Sequence, residues 1–132
     1  MAAGNTLEDI LPANVRDLIA RHIDSVAQLE VLLLLHRTVP QEWTAEALGR
    51  ELRIDPKFAS RELQTLASRD LLAARQGPSY YYGPRAPELD AAVSALAKAY
   101  VQFRVTVIGS IFSKPSDTIR TFADAFRLRK DE

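Results

Sequence analysis

A proline at position 56 constrains the fold of this chain more than any other residue. Proline lacks an amide hydrogen and clashes with the turn before it, so a helix readily begins at proline but does not continue through it. Asp55 precedes this proline and can cap a helix from 56 to 69, while Thr44 can cap an earlier helix from Ala45 to Arg53. The sequence therefore predicts two helices that are joined by a tight turn.

The helix from 56 to 69 has one apolar face and one polar face. The residues of the apolar face recur at helical spacing and are Ala59, Leu63, Leu66 and Ala67. The residues of the polar face are Lys57, Ser60, Arg61, Gln64, Thr65 and Ser68. We expect the apolar face to pack on the preceding helices and the polar face to be open to a partner.

Two earlier segments also have helical patterns. Leu7 to Ile23 is predicted to be a helix whose inward side chains are Leu11, Val15, Leu18 and Ile19. Asp24 or Ser25 can cap a second helix, Val26 to Arg37, which is apolar nearly all round. A helix of that kind is expected to be buried on several sides.

Two short apolar runs follow the helix that begins at Pro56. The runs are LLAARQ and YYYG, and the turn sequence Gly77-Pro78-Ser79 separates them. This pattern predicts a β-hairpin over residues 71 to 83. Alternation along the second strand places Tyr80 and Tyr82 on one face, which we expect to pack inward, and Tyr81 on the other.

The C-terminal part is predicted to contain a long helix from Pro87 to about Ile111, followed after a break at Lys114-Pro115-Ser116 by a short final helix. The first apolar stripe of the long helix has heptad spacing and consists of Leu89, Val93, Leu96, Tyr100, Phe103 and Val107. Its second stripe consists of Val101, Val105, Ile108 and Phe112. The final helix should have one apolar face, which consists of Ile119, Phe122, Ala123 and Phe126.

The composition argues against several classes of function. The absence of cysteine excludes disulfides, a cysteine-based zinc site and a thiol nucleophile. His22 and His36 lie apart in apolar helical contexts, and the sequence has neither acidic residues at metal-ligand spacing nor a glycine-rich phosphate loop. We therefore expect neither an enzyme nor a bound cofactor. Without a signal-peptide pattern or a membrane-length apolar run, the expected location is the cytoplasm.

The charge of the chain is balanced overall but not locally. Its 17 basic and 17 acidic residues give a net charge of zero. Residues 50 to 85, however, contain more basic than acidic side chains. This local bias permits contact with phosphates without requiring it.

The order of elements from Thr44 to Gly83 resembles that of bacterial winged helix-turn-helix proteins, including the MarR-like transcriptional regulators. The matching features are Ser60-Arg61, the leucine pair Leu63 and Leu66, and Leu71-Leu72. Asp70 stands where that pattern commonly has glycine, so we expect it to adopt a positive φ, which Asp tolerates better than most residues. Residues 111 to 131 are also similar to the tail of a group of small bacterial winged-helix proteins that lack an assigned role.

The resemblance implies a mainly α fold, with a three-helix core, a β-hairpin wing, a long C-terminal helix and a short final helix. It suggests a winged helix-turn-helix domain over residues 1 to 86 and a helical dimerisation arm over 87 to 132. In the arm, one apolar stripe can cover the body of the protein while the other meets a second copy of the chain. The alternative is a monomer in which residues 117 to 126 of the same chain cover the second stripe. The candidate dimerisation residues are Val93, Leu96, Tyr100, Phe103, Val107, Val101, Val105 and Ile108.

In such a fold the helix from 56 to 69 would enter the major groove of double-stranded DNA. Arg61 is the best candidate for a contact with guanine and Gln64 for one with adenine. Candidate contacts to the DNA backbone or minor groove are Lys57, Ser60, Thr65, Arg75, Tyr81 and Arg85. The predicted function is that of a sequence-specific transcription regulator that acts as a homodimer.

A second hypothesis is a winged-helix module that binds another protein and not DNA. Zero net charge and the uncharged wing tip, Gln76 to Ser79, favour it. Tyr81, the wing and the long helix would then form the contact surface, since tyrosine is enriched at protein interfaces.

Overall fold

The computed structural model describes residues 10–113, which form six helices and a two-stranded antiparallel sheet. The elements in chain order are α1 (Ala13–His22), α2 (Val26–Arg37), α3 (Ala45–Leu52), α4 (Pro56–Ser68), β1 (Leu72–Arg75), β2 (Ser79–Tyr82), α5 (Pro87–Gln102) and α6 (Arg104–Phe112). The predicted final helix lies outside the described residues. The helices α2 to α4 and the hairpin that follows them have the arrangement of a winged helix.

The predicted helix caps are confirmed for three helices. Ser25 accepts a hydrogen bond from the amide of Gln28 at the start of α2, and Thr44 accepts one from Ala47 at the start of α3. At the start of α4, Asp55 accepts a hydrogen bond from the amide of Lys57. Each cap satisfies an amide that has no partner within its own helix, and so fixes where the helix begins.

The predicted helix from Leu7 to Ile23 is not continuous over the described residues. Ile10 is helical, Leu11 and Pro12 are not, and α1 begins at Ala13, because Pro12 has an extended ψ of 152° and acts as the residue before the helix. The carbonyl oxygen of Pro12 accepts hydrogen bonds from the amides of Val15 and Arg16. The four inward residues predicted for this helix are nevertheless all buried, with exposed fractions of 2% or less.

The helix α2 lies at the centre of the protein, as its nearly all-round apolar sequence predicted. All residues from Leu29 to Leu35 except Glu30 are buried, and α2 contacts α4, β2 and α5. The helix α1 packs on α5 and α6. The buried cluster includes residues on both sides of the predicted boundary between residues 86 and 87, and the division into two domains remains a prediction.

The wing is an antiparallel hairpin in which Leu72 pairs with Tyr82 and Arg75 pairs with Ser79. Trp43 extends it on the side of β2, because the main-chain amide and carbonyl of Trp43 both bond to Tyr80. The hairpin is therefore tied to the segment before α3. Asp70, immediately before the wing, has a φ of 68°, which confirms the predicted positive φ.

The prediction of one long C-terminal helix from Pro87 to Ile111 is wrong. The helix breaks at Phe103, and α5 and α6 are bent by 115°. The Glu30 carboxylate holds both sides of this break, because it accepts a hydrogen bond from the Tyr100 hydroxyl at 2.7 Å and pairs with Arg104 at 3.7 Å. The bend lets α6 fold back to pack on α1.

The break gives the two predicted stripes different environments. Val93, Leu96, Tyr100 and Val107 are buried within the chain, so most of the first stripe covers the body of the protein. Val101 and Val105 of the second stripe are 85% and 84% exposed. Phe103, at the break, is 42% exposed and Phe112 is 76% exposed, whereas Ile108 is partly buried. We call the exposed residues Val101, Phe103, Val105 and Phe112 the elbow patch.

Candidate nucleic-acid interface

The helix α4 is held along its apolar face by the core. Ala59, Leu63 and Leu66 have no exposed surface, as the stripe in the sequence predicted. Burying a leucine side chain contributes roughly 1.5 to 3 kcal/mol, so this face fixes how α4 rotates about its axis. The polar face is consequently directed away from α2 and α3.

The turn between α3 and α4 depends on a glycine that our sequence analysis did not single out. A Cβ atom at Gly49 would lie 2.8 Å from the carbonyl oxygen of Ile54 and 3.5 Å from Pro56. That first distance is too short for any side chain, so only glycine lets the two helices approach this closely. A glycine within an otherwise helical pattern was the signal available in the sequence.

The C-terminal end of α4 is held by Arg69. Its guanidinium donates hydrogen bonds to the carbonyl oxygen of His22, to the side-chain oxygen of Gln28 and to the carboxylate of Asp24. Gln28 is buried and also donates to Glu62 on α4. Arg69 therefore has a structural role, although the sequence analysis counted it only as part of the local positive charge.

The polar face of α4 carries the predicted contact residues on the outside of the protein. Lys57, Arg61 and Gln64 are exposed, whereas Ser60 and Thr65 are partly buried. The side-chain amide of Gln64 donates a hydrogen bond to the hydroxyl of Ser60 at 2.9 Å. Within residues 10–113, neither Lys57 nor Arg61 forms an ion pair, so their charges are open to an external partner.

The basic residues of the wing differ from those of α4, because carboxylates of the chain itself neutralise them. The Nε atom of Arg75 lies 2.9 Å from a carboxylate oxygen of Glu42, and the Arg75 guanidinium lies 4.9 Å from the centre of the Tyr81 ring. Arg85 pairs with Asp70 at 3.6 Å. Arg75 and Tyr81 are thus in contact with each other, and Arg85 lies beyond the end of β2.

The inward position predicted for Tyr80 is confirmed, whereas Tyr82, also predicted to pack inward, is only partly buried, as Tyr81 is. Tyr80 is 9% exposed, while Tyr81 and Tyr82 are partly buried. The hydroxyl of Tyr82 donates a hydrogen bond to Asp90, and its ring packs edge-on against His36. Burial and that hydrogen bond raise the pKa of Tyr82 well above its ordinary value. Tyr82 therefore fastens the wing to α5 as a neutral phenol.

We searched residues 10–113 for groups of side chains that could hold a metal ion and for helices that could cross a membrane. Among residues 10–113 no group of three or more histidine and acidic side chains is arranged to hold a metal ion. Over the same residues no single helix is long and apolar enough to cross a bilayer. The bent pair α5 and α6 meets that criterion only when the two helices are counted together.

Comparison with known proteins adds a structural similarity only. No protein-family model and no curated protein matches the sequence. A solved structure of BpsR from Bordetella bronchiseptica, whose DNA binding is regulated by 6-hydroxynicotinic acid, is similar over 96% of this chain and 93% of that chain. The sequence identity is 18% and the TM-score is 0.46. These values support no conclusion about function, which rests on the residues described above.

Proposed function

We propose that this protein is a sequence-specific transcription regulator that binds double-stranded DNA as a homodimer. In this proposal α4 enters the major groove, and the wing, residues 71 to 83, lies near the backbone or the minor groove. The proposal rests mainly on one observation. Lys57 and Arg61 are exposed on a firmly held helix and form no ion pair within residues 10–113. The proposal includes no enzymatic step and no cofactor, and places the protein in the cytoplasm.

The side chains of α4 suit the edges of base pairs. A guanidinium such as that of Arg61 pairs with guanine through two hydrogen bonds, and an amide such as that of Gln64 pairs with adenine in the same way. Because the two residues are three positions apart, they lie next to each other on the helix surface. Lys57, Ser60 and Thr65 would contact phosphates, which set the position of the helix in the groove.

The elbow patch supports the dimer part of the proposal. The elbow patch has three exposed apolar side chains near the bend and a fourth, Phe112, at the end of α6, and a second copy of the chain would cover this surface. A two-fold axis at this patch would present two copies of α4 to one duplex. Regulators of this architecture read half-sites about 34 Å apart, one helical turn of DNA.

A second candidate function is that of a protein-binding module that does not bind DNA. The pairing of Arg75 in the wing with Glu42, and of Arg85 just after the wing with Asp70, favours it, because neutralised arginines attract phosphates less strongly. In this alternative the elbow patch and Tyr81 would contact a different protein.

A binding titration separates the two candidates. Fluorescence anisotropy of a labelled duplex of random sequence, measured at low and at moderate salt, reports the electrostatic part of DNA binding. The DNA-binding proposal expects binding that weakens steeply with salt and that is reduced in the Arg61→Ala variant. The protein-binding alternative expects no binding even at low salt.

A further inference from the structure

One carboxylate at the wing binds two residues that face each other across the hairpin. Arg75 on β1 and Ser79 on β2 form a cross-strand pair. One oxygen of Glu42 accepts a hydrogen bond from the Ser79 hydroxyl at 2.7 Å, and its other oxygen lies 2.9 Å from Nε of Arg75. A guanidinium and a hydroxyl together therefore bind one anionic group.

The chemistry of this pair is that of a phosphate-binding site. Arginine and serine side chains are regular donors to phosphate oxygens in protein–DNA contacts, and arginine matches phosphate geometry especially well. The ring of Tyr81 lies under the Arg75 guanidinium and restricts how that group moves. A carboxylate and a phosphate offer the same kind of acceptor oxygens, so they compete for the same donors.

We infer that Arg75 and Ser79 form a phosphate-binding site on the wing, and that the Glu42 carboxylate occupies it in the free protein and leaves it when a DNA phosphate binds. The inference rests on the proposed function and adds two residues to it, Ser79 and Glu42. It also explains how a wing with an uncharged tip takes part in binding DNA.

The exposure of the Arg75–Glu42 ion pair is consistent with the replacement of Glu42 by a DNA phosphate. The side chains of Arg75 and Glu42 are 60% and 42% exposed, so water reaches both groups in the free protein. Ion pairs at such exposed positions contribute little to stability. The main chain of the segment is held independently by the two bonds between Trp43 and Tyr80, so Glu42 can turn away without loosening the wing.

The test is the Glu42→Gln variant, which keeps the size of the side chain and removes its charge. Without the competing charge, binding to a labelled DNA duplex should be roughly five- to tenfold tighter at about 0.1 M salt. The slope of log affinity against log salt should stay nearly the same, because Arg75 contacts the same phosphate in both complexes. Glu51→Gln is the matched control, since Glu51 is exposed and has no ion pair among the described residues. Thermal unfolding checks that both variants are folded.

Two double variants test whether the gain in DNA affinity comes from Arg75 and Ser79. In the Glu42→Gln background, Arg75→Ala should abolish the gain in affinity and make the slope shallower by about 0.9, the value for one lost phosphate contact. Ser79→Ala in that background should remove part of the gain in affinity and leave the slope unchanged, because it removes a donor and not a charge.

The outcomes separate this inference from the proposed function. If the parent protein binds DNA and depends on Arg61, but Glu42→Gln binds no more tightly than Glu51→Gln, the phosphate-site inference is overturned and the proposed function stands. Weaker binding by Glu42→Gln would also overturn it, because Glu42 would then be orienting Arg75 for DNA. If neither the parent nor Glu42→Gln binds DNA at low salt, the proposed function fails, and the inference fails with it.

Discussion

Arg69 donates a hydrogen bond to the main-chain oxygen of His22 at 2.5 Å, and so joins the end of α4 to the end of α1. The same guanidinium binds Asp24 and the buried side chain of Gln28. All three partners precede Arg69 by more than 40 residues. The orientation of α4 thus depends on residues from the first two helices as well as on its own apolar face.

Replacement of Arg69 by alanine should lower the free energy of unfolding by about 2 kcal/mol, because it removes hydrogen bonds between a charged donor and partly buried acceptors. Urea unfolding, with the midpoint and slope both fitted, measures this change. Arg21→Ala is the control, since Arg21 pairs with Asp17 at exposed positions and should change stability by less than about 0.5 kcal/mol. Equal effects of the two substitutions would contradict the structural role of Arg69.

The stability of the fold should depend on the protonation of His22. Burial, and then the positive charge of Arg69, lower the pKa of His22 below 6.5, and Arg21 acts in the same direction. Asp17 and Asp70 oppose this shift without cancelling it. The Nδ1 atom of His22 is buried and has no hydrogen-bond partner among residues 10–113, so the neutral ring is the form that fits the fold.

The sign of the pH effect follows from this lowered pKa. As pH falls through 6.5, the unfolded state binds a proton at His22 before the folded state does, so the free energy of unfolding decreases. The stabilisation is fully present above pH 6.5 and is lost as the pH falls below it. Urea unfolding of the parent and of His22→Gln across this range should show a shallower pH dependence for the variant. Parallel pH profiles would refute the assignment to His22.

Replacement by glycine should have opposite effects on stability at Arg50, which lies within α3, and at Arg53, which ends it. Arg53 ends the helix with a φ of 58°, a left-handed conformation that suits glycine, so Arg53→Gly should be stabilising by about 0.5 to 1 kcal/mol. Arg50 lies in the helix, where glycine costs about 1 kcal/mol. Thermal unfolding of the two variants measures the contrast. A loss of stability in Arg53→Gly would mean that its side chain contributes more than its backbone conformation costs.

The elbow patch should control self-association without affecting the fold. Val101 and Val105 are 85% and 84% exposed, so replacing both with glutamate removes almost no packing within the chain. We expect the double variant to be monomeric in sedimentation equilibrium at concentrations where the parent is a dimer, because the charges would be buried at the interface. Unchanged thermal unfolding at a concentration where both proteins are monomeric is the control. A double variant that remains a dimer would exclude the patch as the interface.

Much of the fold could be predicted from the sequence because its signals are local. These signals are the caps, the proline at the start of α4, the apolar period of α2 to α4 and the turn of the wing. Each acts within a few residues, and the structure agrees with them. The positive φ of Asp70 was predicted in a different way, from the resemblance to a pattern that commonly has glycine at this position.

The break at Phe103 was not predictable in this way. The segment around it contains no proline or glycine, and its apolar heptad spacing continues through the break. The bend depends on Glu30, which lies 70 residues before Tyr100 and binds both sides of the break. An interaction over that distance leaves no periodic signal in the sequence.

In the candidate interface, too, features set by neighbouring residues were predictable and contacts between distant residues were not. Local helical spacing placed the residues of α4 on one exposed face. The pairings of Arg69 with α1 and α2, and of Arg75 with Glu42, join residues that are far apart in the chain. For this reason the sequence alone did not distinguish structural or neutralised arginines from the open charge of Arg61.

The most direct test of the account is the affinity for duplex DNA of the parent, Arg61→Ala and Arg21→Ala, measured by fluorescence anisotropy between about 50 and 200 mM salt. Both substitutions remove one exposed positive charge, but only Arg61 lies on the polar face of α4. We predict that the parent binds with a steep salt dependence, that Arg61→Ala binds roughly tenfold more weakly, and that Arg21→Ala binds nearly as well as the parent. No binding by the parent at the lowest salt, or equal losses in the two variants, would contradict the claim that α4 reads DNA.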